Sequence, residues 1–107
     1  MILDIFTIAR DRTLYNAEAK YEDGKVVVKK GSKINLNSTE LFNPPIGVKE
    51  TRGDREKVDA NGILLQNIEF SSLSTAATFV TGRVSNGMIC WKTKDGEYVR
   101  KTLKPEN

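Results

Sequence analysis

The sequence predicts a small α+β domain in which two β-hairpins form an antiparallel sheet beside two short helices. Three observations carry that expectation. Asp23-Gly24 and Asp95-Gly96 each stand between strand-like segments, and Asp-Gly supplies the positive φ angles of a tight hairpin turn. Leu73, Ala76, Ala77 and Val80 fall at i, i+3, i+4 and i+7, with Ser71 and Ser72 in front as capping residues and Gly82 just past the end. A chain of 107 residues suits one domain, 1–107, with a modest core.

Taken in order, Ile2 to Ala9 read as a first strand, with Ile2, Asp4, Phe6 and Ile8 on one face and Leu3, Ile5 and Thr7 on the other. Apolar residues on both faces predict a partly covered strand. In "NAEAKYEDGKVVVKK" the alternating Ala17, Ala19 and Tyr21 precede the turn and Val26 to Val28 follow it, which makes the first hairpin. "GSKINLNSTELFNPPIGV" is rich in Asn, Ser and Pro and reads as a long surface loop. "KETRGDREKVDANG" is polar, with good helix formers around Arg55 to Val58, and Asn61-Gly62 can end a short helix there. "ILLQNIEF" has the apolar content and length of a strand, and the capped helix from Leu73 follows it. The second hairpin is expected from "GMICWKTKDGEYVRKTL", with an apolar strand to Lys92 and a return strand through Tyr98 and Val99.

The net charge of +3 is modest, but its distribution is uneven. Gly24 to Asn35 holds Lys25, Lys29, Lys30 and Lys33 with no acid, and Ser71 to Lys104 holds six basic residues against Asp95 and Glu97. Between them, Thr39 to Glu69 has four basic and six acidic residues. A fold that joins the two basic stretches would present a positive face suited to a phosphate backbone. Lysines that keep strand edges soluble give the same count.

Several chemistries lack their residues. The chain has no histidine and one cysteine, so neither a Ser-His or Cys-His nucleophile pair nor the usual His/Cys metal patterns can be assembled. No catalytic residue, metal ligand or cofactor site is identified, and the expectation is a non-enzymatic binding module. "KKGSKI" lacks the further glycine and the following helix of a phosphate-binding loop. Asp54, Glu56 and Asp59 are spaced like an ordinary solvated helix face. No apolar run approaches the roughly 20 residues that cross a bilayer, and the N-terminus has no secretory pattern. A single cysteine cannot form an internal disulfide, which fits a reducing cytoplasm.

Three ordered motifs, "GKVVVKKGSKI", "REKVDANGIL" and "FSSLSTAATFVTGRVSNGMICWK" followed by Lys94, Asp95 and Gly96, resemble the domain of unknown function 4357 family. The resemblance runs from about Ala17 to Leu103. That family occurs at the C-terminal end of some GIY-YIG nucleases and in proteins linked to restriction-modification systems, and it is similar to the RAMA domain, proposed to read modified DNA. The positions that match are Gly31, Ser32, Phe70 to Ser74, Gly82, Asn86, Gly87, Trp91 and Lys92. Leu73 stands where the family commonly has proline, and Met88 where it has an aromatic residue. No nuclease module accompanies these motifs, so cleavage is not implied.

The resemblance and the charge together imply a DNA-binding accessory domain that reads modified DNA. Lys29, Lys30, Lys33, Arg83, Lys92 and Lys94 would hold phosphates collectively, joined by Ser32 of the "KGS" element and by Ser72 at a helix N-terminus. Asn86 has an amide that can bond the edge of adenine, although an Asn-Gly pair is first of all a turn. Trp91 is expected in the core with its indole N–H satisfied nearby, with a base-stacking ring as the alternative. Cys90, between Ile89 and Trp91, is expected as an inert buried thiol. The competing function is a protein-interaction domain that docks a nuclease or methylase, which predicts an exposed apolar patch around Ile46, Val48 or Leu64.

Overall fold

Strand β1 (Ile2–Ile8) lies inside a five-stranded antiparallel sheet rather than at its edge. It pairs on one side with β2 (Asn16–Glu22), which pairs with β3 (Lys25–Val28), which pairs with β4 (Ile68–Phe70). On its other side β1 pairs with β5 (Lys92–Thr93), giving the order β4-β3-β2-β1-β5. Among the described residues three α-helices accompany the sheet: α1 (Ile46–Gly53), α2 (Leu73–Thr81) and α3 (Val99–Thr102). The computed structural model describes residues 2–11, 13–37 and 44–103.

Register assigns the two faces. One row crosses all five strands as Thr93, Ile5, Ala19, Val28 and Ile68, and the next runs Leu3, Tyr21, Val26 and Phe70. Ile5, Ala19, Val26, Val28, Ile68 and Phe70 are all buried, so this face carries the core, and successive residues must point the other way. The opposite face carries Phe6 between Glu18 and Lys92, and Asp4, Lys20, Val27 and Glu69 in a row. Helix α2 packs against β3 and β4 on the core face, where Phe79 tilts against Phe70 with ring centroids 4.8 Å apart.

The expected α+β architecture with its first hairpin and its capped helix is present. Asp23 and Gly24 have φ of 49° and 85°, the twist of a two-residue turn that matches the twist of its strands. Ser72 Oγ accepts a hydrogen bond from the Thr75 amide, and Gly82 ends α2 in the left-handed conformation with φ 77°. Seven of the nine residues of α2 are buried, well beyond the predicted stripe. The helix is flanked by the sheet, by α1 and by the 87–89 turn.

Three local expectations need correction. The first short helix lies at Ile46–Gly53, directly after Pro45, not around Arg55 to Val58. Residues 55–57 form a turn closed by Lys57 and Val58 amides donating to the Asp54 carbonyl, and the Asp59 carboxylate accepts from the Asn61 and Ile63 amides to turn the chain at 61–62. The run Met88-Ile89-Cys90 is no strand, because Gly87–Ile89 forms a 3₁₀ turn. The return strand of the second hairpin shrinks to one bridge, Lys92 to Tyr98, after which the chain turns into α3.

The predicted surface loop is in part a structural seam. Lys33 bridges Asn16 on one side and Ile63 on the other, Ile34 is buried, and the Asn35 amide donates to the Val80 carbonyl at 2.8 Å. Residues 38–43 of that segment lie outside the described residues. Among the described residues no helix is long and apolar enough to cross a membrane.

Candidate functional site

The run from Ser85 to Lys92 is held against the first turn of α2. The Gly87 amide donates to Ser74 Oγ at 2.9 Å, and the Trp91 indole N–H donates to the Leu73 carbonyl at 3.0 Å. Trp91 is 0% exposed, so the ring is a core group with its one polar atom satisfied, as expected. Asn86 Oδ1 accepts from the Met88 amide at 3.0 Å and caps the 3₁₀ turn. The residue is exposed.

Cys90 faces the sheet, its Sγ 3.3 Å from Thr7 Oγ1. Burial pushes its thiol above the ordinary range, against the smaller lowering effects of Thr7 and of the Arg83 charge. Tyr15, like Cys90, is partly buried against the core. Burial raises the Tyr15 phenol and Cys90 adds to the rise, whereas the Arg83 charge and a hydrogen bond with Thr7 pull it down. Tyr98 also acts on Tyr15, so Arg83, Cys90 and Tyr98 each lie within electrostatic reach of Tyr15.

The cations expected to hold phosphates do not form one cluster. Lys33 exchanges backbone hydrogen bonds with Asn16, next to Tyr15, at 2.9 and 3.0 Å. Hydrogen bonds from Thr13 hold the Asp11 carboxyl below its usual range and the Lys33 charge adds to this. Lys33 is thus tied by its backbone to Asn16, while the Arg83 charge acts on the preceding residue, Tyr15. Lys29 and Lys30 begin the turn after β3, where the Lys30 amide donates to Asn67 Oδ1 at 2.8 Å. Lys94 stands apart, 3.3 Å from Asp4 on the far half of β1.

Ser32 and Ser72 are occupied. Ser32 is 6% exposed, and its Oγ accepts from the Glu18 amide and donates to the Glu18 carbonyl. Its hydroxyl ties the seam to β2. Ser72 Oγ accepts from the Thr75 amide and donates to Thr75 Oγ1. Both residues serve local structure.

Lys92 leads to a feature that sequence reasoning missed. Its ammonium lies 5.2 Å from the centroid of the Tyr98 ring. Together with Gly96, Glu97, Arg100 and Lys101 these residues line an open pocket of about 480 Å³. Tyr98 is 47% exposed. The "EYVRK" segment reads as a return strand, but α3 begins at Val99, which is buried, and so gathers Tyr98, Arg100 and Lys101 around the hairpin. The interleaving of an aromatic residue with two cations in that segment was the available signal.

The apolar patch that a docking domain would need is reduced to one of its three residues. Val48 and Leu64 are core residues, and Ile46 alone is exposed, at 75%.

With this geometry in hand, the chain belongs to the family described as domain of unknown function (DUF4357), whose model matches residues 6–103. The match takes in the last part of β1, from Phe6, ahead of the motifs that carried the resemblance. No curated protein and no solved structure matches the chain significantly.

Proposed function

We propose that this domain is a non-enzymatic DNA-binding module that serves a nuclease or methylase system and discriminates modified bases. The observation that carries the reading is the placing of cations beside tyrosines, which we read as one band: the Arg83 charge acts on Tyr15, Lys33 is paired by its backbone with the neighbouring Asn16, and the Lys92 ammonium lies 5.2 Å from the Tyr98 ring centroid. Cations spaced along such a band neutralise successive phosphates, and the release of counterions supplies the affinity. Asn86, exposed at the rim of the 3₁₀ turn, offers an amide to a base edge. Chemistry by the protein itself is disfavoured by the lack of histidine and by a thiol that burial keeps protonated.

Fluorescence-anisotropy titrations test the reading with labelled duplexes and single strands, unmodified and adenine-methylated, at about 50 and 200 mM salt. Binding that weakens as salt rises is the expected result, and a preference for one methylation state supports the finer claim. The absence of salt-sensitive binding to every one of these oligonucleotides overturns it.

A further inference from the structure

The Tyr98 pocket departs from what holding a regular duplex requires. Tyr98 is 47% exposed, and its ring meets no aromatic partner among the described residues. The pocket, about 480 Å³, is an open cleft that leaves one side of a bound group to solvent. Its glycine wall adds room, because a Cβ at Gly96 would meet nothing within 4 Å. The ion pairs among the described residues are Lys94 with Asp4 and Lys101 with Glu97. Among the described residues Lys92 and Arg100 form no ion pair, and the Glu97 carboxylate of the same lining is engaged by Lys101.

From this arrangement we infer that the pocket takes one unpaired nucleotide, its base stacked on the Tyr98 ring and its phosphate held by Arg100 and Lys92. An aromatic face accepts any base, and flanking cations track the backbone. A base inside a duplex has both faces covered by its neighbours, so only an unstacked or flipped nucleotide can present a face to Tyr98. The inference rests on the nucleic-acid reading above and adds the strand state that the site selects. Trp91, being fully buried, takes no part.

The test uses the full chain with oligonucleotides carrying one 2-aminopurine, whose fluorescence falls when it stacks. DNA and RNA single strands and the corresponding DNA duplex are titrated against the wild type, Tyr98→Leu, Tyr98→Phe and Arg100→Ala, with thermal melts to establish that each variant is folded. The wild type and Tyr98→Phe should quench the probe in single strands and bind them more tightly than the duplex. Tyr98→Leu should lose the quenching and about five- to one-hundred-fold in affinity, the loss that removing a stacked base brings, and Arg100→Ala should weaken binding while retaining the quenching. Tighter binding of RNA than of DNA would keep the pocket and reassign the strand. If the wild type binds oligonucleotides but Tyr98→Leu binds and quenches equally well, the pocket inference is overturned and the nucleic-acid reading stands. If no oligonucleotide binds the wild type, both are overturned.

Discussion

Gly87 lies so close to the start of α2 that a Cβ on it would sit 2.2 Å from the Leu73 carbonyl carbon. The backbone of the 3₁₀ turn rests directly on the backbone of the helix, which is why the Gly87 amide can reach Ser74 and the Trp91 indole can reach Leu73. Its glycine answers a need for contact, not for an unusual backbone conformation. Gly87→Ala should destabilise the domain by about 3 kcal/mol, the upper part of the range for overpacked sites. Urea unfolding of the variant measures this, and a loss below about 0.5 kcal/mol would mean that the turn can lift off the helix at little cost.

Trp91 is the largest side chain of the core, and its N–H is the partner of a backbone carbonyl in a buried place. Trp91→Phe should cost about 3 kcal/mol, combining lost volume with the loss of a buried hydrogen bond. In the wild type, tryptophan emission should be blue-shifted, resist acrylamide and stay unchanged when an oligonucleotide binds. Strong quenching by the oligonucleotide would place the indole at the interface.

Arg52 acts as a clamp on the end of α2. Its guanidinium donates to the carbonyls of Phe79 and Asn35, so one planar fork joins α1, the 29–37 seam and α2. Arg52→Ala should cost about 2 kcal/mol from the loss of charge-assisted bonds. Arg52→Lys should recover little of it, because an ammonium cannot reproduce the fork. Denaturant midpoints of the two variants decide the matter, and full recovery by lysine would make charge, not geometry, the cause.

Cys90 and Tyr15 both have their folded-state ionisation raised, with burial as the first cause for each. A raised value favours the protonated native state. The associated stability is present below the ordinary thiol range of about 8.5 and is lost as pH rises through the higher folded values, with tyrosine following above about 10. The unfolding midpoint should therefore hold steady near neutrality and fall above about pH 9. Cys90→Ala should flatten the first part of that fall, and in the native wild type alkylation of the thiol at pH 8 should be much slower than in urea. Equal rates would show that the thiol is open to solvent.

Lys94 serves as the internal control for the proposed interface. It is 81% exposed, is paired with Asp4 and lies away from Tyr15. Lys94→Ala should change neither stability nor oligonucleotide affinity more than about twofold, since exposed ion pairs contribute little. Lys33→Ala and Arg83→Ala should each weaken binding and reduce the salt slope by about 0.7 to 0.9, as expected for one lost phosphate contact. Anisotropy at several salt concentrations separates the three, and equal effects at all three positions would replace a local band with a diffuse charge effect.

Local signals governed what could be read in advance. Asp23-Gly24 demanded a turn of one hand, and the alternation of Ala17, Ala19 and Tyr21 named the buried face before any partner strand was known. Ser72 and Gly82 bounded α2 because capping uses groups within a few residues. Helix α1 escaped because only Val48 among its residues is buried, which leaves no apolar period to detect. The Pro45 before it was the one boundary signal.

For "SNGMICWK", composition alone decided that no Cys-His pair could form, since the chain has no histidine. Tertiary structure decided the rest. The apolar run became a 3₁₀ turn because Gly87 and Trp91 dock on the first turn of α2, and Ser32 turned inward because Glu18 of β2 lies beside it. Likewise Tyr98 was left at the surface between cations once Val99 had entered the core. A chain's own spacing sets which residues share a face. Which face is covered depends on contacts between residues far apart in sequence, and local pattern carries no record of those.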